Sequence, residues 1–400
     1  MEVLELRNGL KVLLKYEGSY PIVAGSLFFP LGSSADSPEG ITLLTLRTAF
    51  KGSLKYSPEE FFKLQESSGS PFVPDVSCDY SLVKFQFVSQ KGKEYLKLLL
   101  DVLTEPGFRE ESFQVEKASL LASIRSKKES SFALAYEELM RRTYPNHPYS
   151  KLPYGTIESV SSLEVEDVKS WFSDNFPQEG AVLSLCGRIE ELEEAVKEFE
   201  ELESVPVKTE LPPCPITCSD EVVVKREGSE QSFILVGLNA PSVFNRDYPA
   251  YKLLNTLLGE GIGSVLFQEL REKRGYAYST GSLFPSRRGS GRLLAYIGTS
   301  PEKEGEVKRE LHRILKNLPD FITPERVKRA KEYFRGTYLL DHELRSKRAW
   351  YYGFWEVLGK GWSYDGEFVE EVLSTTHEEL VKAAESLSQS PEFTVVVKDG

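Results

Sequence analysis

Two spacings of apolar residues alternate along the chain. Apolar positions two apart mark strands, and apolar positions three and four apart mark helices. The stretch Asp79-Tyr80-Ser81-Leu82-Val83-Lys84-Phe85-Gln86-Phe87 alternates as a one-sided antiparallel strand does. The same reading predicts strands over 2–7, 10–15, 21–29, 70–76, 79–88 and 181–187. It predicts helices over 39–50, 92–104, 110–130, 131–142, 163–174 and 190–202, and another that begins after Ser57. At Ser57-Pro58-Glu59-Glu60, Ser is the N-cap, Pro takes the first helical position, and Glu60 completes a capping box.

The second half repeats this order. Strands are predicted over 220–227, 232–239, 276–283, 291–299 and 392–398. Helices are predicted over 248–258, 263–273, 303–317, 324–340, 344–358 and 375–387. Ile22–Leu27 corresponds to Ile234–Asn239, and Glu166–Lys169 to Glu378–Val381, an offset of about 212 residues. A repeat this long means duplicated domains. Between the copies lie Pro206, Pro212, Pro213 and Pro215, which predict a semi-rigid linker over 206–219. The expected division is a domain over 1–205 and a domain over 220–400. The expected class is α+β: two homologous α/β-sandwich domains, each an antiparallel-rich sheet with helices packed on one face.

Composition narrows the function classes. The balance of 61 acids against 49 bases gives a net charge of −12, and no basic stripe stands out, which argues against nucleic acid. Cys78, Cys186, Cys214 and Cys218 do not have the spacing of a zinc or redox pair and are read as free thiols in a reducing compartment. The N-terminus has no basic segment followed by an apolar run, and no apolar run is long enough to span a bilayer, so a cytoplasmic, membrane-free protein is expected.

The candidate chemistry sits in two stretches. The first is Gly40 through Ser53, ending Phe50-Lys51-Gly52-Ser53. The second is Gly259-Glu260-Gly261-Ile262-Gly263-Ser264-Val265-Leu266-Phe267, followed by Leu270-Arg271-Glu272-Lys273 and Gly275-Tyr276-Ala277-Tyr278. The glycines lack the spacing of a dinucleotide or phosphate loop. A tight turn before a helix N-terminus explains them better.

Both stretches resemble the pitrilysin/insulinase family of zinc peptidases, which includes the mitochondrial processing peptidase. In active members H-x-x-E-H precedes Phe-Lys-Gly-Thr: two His on one helix face hold Zn²⁺ and the Glu acts as base. Here Leu43 and Arg47 fall on the His positions and Leu46 on the Glu position. Leucine cannot ligate a metal, and a guanidinium repels one. The family's third ligand, a Glu, falls in the region of Ala122 and Ser123. His147, His312, His342 and His377 share no short metal-binding motif and are read as structural or solvent-facing.

The resemblance implies no metal in this chain, with zinc in a partner. It places the family's substrate-binding Arg and Tyr on Arg271 and Tyr278, and it adds a second reading of the glycine stretch, a flexible loop that touches substrate through Gly261 and Gly263. The implied function is a non-catalytic, substrate-binding subunit of a heterodimeric zinc metallopeptidase that cleaves peptides in an enclosed cavity. The implied partner is a homologous subunit with H-x-x-E-H, and isolated chains could pair with themselves. The alternatives are a purely structural or interaction subunit, and a peptide-binding module with no peptidase role.

Overall fold

Ile22–Phe29 is apolar at nearly every position, and it becomes the inner strand β3 of a six-stranded sheet. The computed structural model describes residues 1–18, 20–189, 192–206 and 211–400. Part of the expected linker, 207–210, and the first two residues of the helix expected over 190–202 lie outside the described residues.

The first sheet contains β1 (Glu2–Glu5), β2 (Lys11–Tyr16), β3, β4 (Val73–Val76), β5 (Ser81–Val88) and β6 (Val182–Gly187). Its order is β1-β2-β6-β3-β5-β4, antiparallel except for β2 beside β6. The second contains β7 (Asp220–Lys225), β8 (Ser232–Ala240), β9 (Ser279–Leu283), β10 (Gly291–Thr299) and β11 (Glu392–Lys398). Its order is β7-β11-β8-β10-β9, antiparallel except for β7 beside β11. Apart from the added β1, the two sheets have the same strand order and the same single parallel pair. The sequence duplication is therefore a duplication of topology.

Around the first sheet lie α1 (Ile41–Ala49), α2 (Pro58–Ser68), α3 (Gly92–Thr104), α4 (Glu110–Lys127), α6 (Ile157–Ser162), α7 (Val165–Asn175) and α8 (Glu193–Lys197). Between α4 and α6 runs α5 (Ser131–Thr143). The second half adds α9 (Tyr248–Gly259), α10 (Glu304–Lys316), α11 (Pro324–His342), α12 (Arg345–Leu358), α13 (Tyr364–Ser374) and α14 (His377–Gln389). The predicted capping box forms at α2, where Ser57 and Glu60 bond each other's backbone N–H. The sequence reading did not anticipate α6 or α13. Where it expected a helix over 263–273, a short π-helical turn runs from Phe267 to Glu272.

The described residues divide into two units. The first holds 1–125, 151–206 and Asp341–Asp365; the second holds Ser126–Ser150, Leu211–Leu340 and Gly366–Gly400. These differ from the contiguous division into 1–205 and 220–400, because each unit contains a helix from the other half of the chain. α12 packs on β3 and β6, where Phe28 meets Trp350 at 6.3 Å between ring centroids. α5 packs on β8 and β11, where Phe132 meets Phe233 at 5.9 Å. In the first unit, Val23, Leu27 and Phe29 of β3 join one core with α1, α3, α4 and α7, while Phe28 meets α12. Beyond the expected helical layer, one exchanged helix therefore covers the second face of each sheet. This explains the unbroken apolar runs of β3 and β8: a strand covered on both faces has no solvent side on which to place polar residues.

No helix among the described residues is long and apolar enough to cross a membrane.

Candidate functional site

The motif helix α1 is held from its N-terminal end. Gly40 takes φ +86, and its N–H donates to Asp36 Oδ2 at 2.9 Å. Thr42 Oγ1 donates to Asp36 Oδ1 at 2.6 Å and accepts from Trp171 Nε1 at 3.0 Å. Asp36 is 1% exposed, and burial pushes its pKa up to about 7 against the two hydrogen bonds that favour the charged form.

Of the three motif positions, Leu43 and Leu46 are core residues, 8% and 0% exposed. Arg47 is half-buried in the last turn. At the third-ligand position Ala122 is exposed, and Ser123 spends its hydroxyl on Ser119 O at 2.9 Å. Glu116 is buried on the same helix, with its carboxylate 2.7 Å from Lys51 Nζ. Two leucines in a core, a guanidinium and a carboxylate already paired with lysine are not a donor set for zinc. Among the described residues no three His, Cys, Asp or Glu cluster as metal ligands do. The four histidines have other neighbours: His147 bonds Pro212 O, His377 bonds Ile322 O, and His312 and His342 lie against Glu392 and Asp365.

The second stretch is built around one buried carboxylate. Glu269, 7% exposed, sits in the π-helical turn and meets Lys273 at 2.8 Å, Arg326 at 3.1 Å and Arg274 at 3.5 Å. Burial raises its pKa, but hydrogen bonds from Lys273 and Arg326 outweigh it and hold the carboxylate below its usual range. Arg274 also reaches Glu310 at 2.9 Å. These bonds fasten the turn to α10 and α11.

Arg271 is not part of that network. Its guanidinium is exposed, lies 5.1 Å from the centroid of Phe267, and has no ion pair among the described residues. Tyr278 is 61% exposed; its N–H donates to Gly298 O at 2.9 Å, so its backbone extends β9 along β10. Its phenol has no hydrogen-bond partner among the described residues. Neighbouring Tyr276 is tied down, with its hydroxyl on Glu306 and its carbonyl on Thr299 Oγ1.

Of the glycines, Gly263 borders a cavity of about 360 Å³ in the second unit. Gly263, Ser264 and Gln268 line one side and Arg326, Arg329 and Tyr333 of α11 the other. Gly261 takes φ +74, and a Cβ there would lie 2.6 Å from the Tyr333 ring. Arg271 and Tyr278 are not in this lining. The structure therefore brings the glycine loop against α11, a contact the sequence reading missed. The α11 residues lie some sixty to seventy positions further along an ordinary charged helix, and nothing local marks them.

The family model described as insulinase (peptidase family M16) matches residues 11–156, and the model described as peptidase M16 inactive domain matches 162–334. An uncharacterized zinc protease of Rickettsia bellii is 24% identical over 99% of this chain and 97% of its own length. A Helicobacter pylori protein named non-peptidase homolog YmxG is 24% identical over 85% of this chain and 81% of its own length. A crystal structure of a peptidase M16 inactive domain from Pseudomonas fluorescens shares the fold, with a TM-score of 0.89 at 21% identity, covering 100% of this chain and 98% of that one. With both models matched in order, and the two duplicated units of that fold, the chain belongs to the insulinase (peptidase M16) family, as a member without the H-x-x-E-H motif.

Proposed function

We propose that this chain is the non-catalytic, substrate-binding subunit of a heterodimeric zinc metallopeptidase. A homologous partner with H-x-x-E-H supplies the metal and the base; this chain supplies Arg271 and Tyr278. The observation that carries the reading is a contrast. The motif helix has been absorbed into a core, whereas Arg271 and Tyr278 stand exposed on a firmly held segment with their polar groups unspent. Two residues that merely stabilised the fold would be expected in an ion pair and in a core. The name non-peptidase homolog carried by the Helicobacter pylori relative is in keeping with this.

The chemistry follows from the two side chains. Arg271 offers a permanent charge and a fork of N–H donors to substrate carbonyls, and Tyr278 offers a phenolic O–H. Donors aimed where negative charge develops stabilise the oxyanion of a tetrahedral intermediate. A Cβ at Gly261 or Gly263 would meet Tyr333 or Arg329 at 2.6 Å, so the bare glycines seat this loop on α11, and its contact with substrate in this reading is through the loop backbone. The substrate is peptide, and the compartment is the cytoplasm.

The test is reconstitution with an H-x-x-E-H partner. Loss of one oxyanion donor typically lowers turnover by about 10²–10³-fold. Arg271→Ala and Tyr278→Phe should lower kcat of the complex to that extent, with the melting temperature of the free subunit nearly unchanged because both side chains are exposed. Arg271→Lys should recover little, since an ammonium lacks the fork. An unchanged kcat in a well-assembled Arg271→Ala complex would favour a purely structural subunit.

A further inference from the structure

The position that fails as a metal site has other chemistry. Arg47 lines a cavity of about 550 Å³ in the first unit, walled largely by phenylalanines and prolines, among them Phe50, Phe61 and Phe72. Two acids share the lining, and each has its own lysine: Glu116 with Lys51 and Glu59 with Lys63, both at 2.7 Å. The Arg47 guanidinium has no ion pair or hydrogen bond among the described residues. Gln65 lines the same cavity, is 3% exposed, and its amide nitrogen has no acceptor among the described residues. An apolar cavity thus holds a half-buried guanidinium and a buried amide donor, both without acceptors. Such groups carry an uncompensated desolvation cost that a bound anion relieves.

We propose that this cavity binds the C-terminal carboxylate of a peptide whose last residue is aromatic or large and apolar. The guanidinium fork matches a carboxylate, and the Gln65 amide is a further donor. Glu59 and Glu116 on the same lining are each paired with a lysine, which leaves the Arg47 guanidinium as the unpaired charge there. The phenylalanine and proline walls select an apolar body next to the charge. A peptide C-terminus places the two on one carbon atom. The inference stands on α1 and its cavity and is independent of Arg271 and Tyr278.

Acetyl-alanyl-phenylalanine and its C-terminal amide, titrated into the full chain by ligand-observed NMR, separate the outcomes. The free acid is expected to bind roughly tenfold tighter than the amide. Arg47→Gln is expected to abolish that preference, Arg47→Lys to restore part of it, and Arg271→Ala to leave it intact. Equal binding of acid and amide to the unmodified chain overturns the proposal, and this comparison needs no variant. So does an undiminished preference in folded Arg47→Gln, absence of saturable binding by the acid, or displacement of the peptide by an equal concentration of inorganic phosphate.

Discussion

Asp36 joins the start of α1 to the pH of the solution. Its carboxyl is raised from 3.8 to about 7 by burial, so between those two values the folded chain holds a proton there that the unfolded chain has released. The sign follows directly. Below pH ~4 both states are protonated and the contribution to stability is complete. It is lost as pH rises towards 7, where the folded state ionises as well. The window is about three pH units wide, at about 1.4 kcal/mol each, which bounds the effect at roughly 4 kcal/mol. Asp36→Asn keeps an acceptor for the Gly40 N–H and removes the titration. The stability of the unmodified chain relative to Asp36→Asn should therefore fall between pH ~4 and ~7, as measured by urea unfolding at each pH. A flat difference would mean that Asp36 titrates near its ordinary value when folded. At this scale the sequence was legible where chemistry is local. Leu43, Leu46 and Arg47 could be judged unfit for zinc from residue type alone. That Leu43 and Leu46 are core and Arg47 borders a cavity required the fold, because the phenylalanines around them come from separate elements.

Among the elements, most local signals were read correctly, although α6 with its Thr156–Ser159 capping box was missed, and partners were not read. The Ser57–Glu60 box was legible because both bonds close within one turn. α12 was legible as a helix, and its sequence Ala349-Trp350-Tyr351-Tyr352-Gly353-Phe354-Trp355 is apolar nearly all round, the mark of a helix with little solvent face. Nothing in that stretch says which sheet it covers. The glycine within it shows how closely it sits: a Cβ at Gly353 would lie 2.5 Å from the buried ring of Phe28 and 3.3 Å from Ser184. In α11, a Cβ at Gly336 meets nothing within 4 Å. Glycine inside a helix costs about 0.5–1 kcal/mol relative to alanine, so alanine should stabilise wherever it fits. Gly336→Ala should gain about that much. Gly353→Ala should lose roughly 1–2 kcal/mol, since overpacking of about 1–3 kcal/mol exceeds the propensity gain. Denaturant midpoints of the two variants check both signs, and a stabilised Gly353→Ala would mean that α12 is loosely seated.

For the whole molecule, duplication was legible because two long stretches repeat the same order of strands and helices. The exchange was not, because the duplicated pattern assigns α5 to the first copy and α12 to the second. Contacts decide otherwise, and they connect residues separated by hundreds of positions: Glu17 with Arg348, Lys11 with Glu356, Phe28 with Trp350. The consequence is testable with fragments. A chain cut to 1–205 keeps every strand of its sheet but loses α12, leaving uncovered the side of β3 and β6 where Phe28 and Ser184 are 0% exposed. The same fragment carries α5 with the apolar face that belongs on β8 and β11. A fragment of 211–400 has the reverse defect, with Phe233 and Leu139's neighbour Gly237 uncovered and α12 unseated. Exposed apolar faces of this size lead to association rather than a native state. Neither fragment should unfold cooperatively alone, and both should bind hydrophobic dyes. Coexpressed, each supplies the helix the other lacks, and near-ultraviolet circular dichroism should return to that of the intact chain. Cooperative unfolding of the 1–205 fragment by itself, with native near-ultraviolet signals, would show that the exchanged helix is dispensable and that the contiguous division is the one that folds.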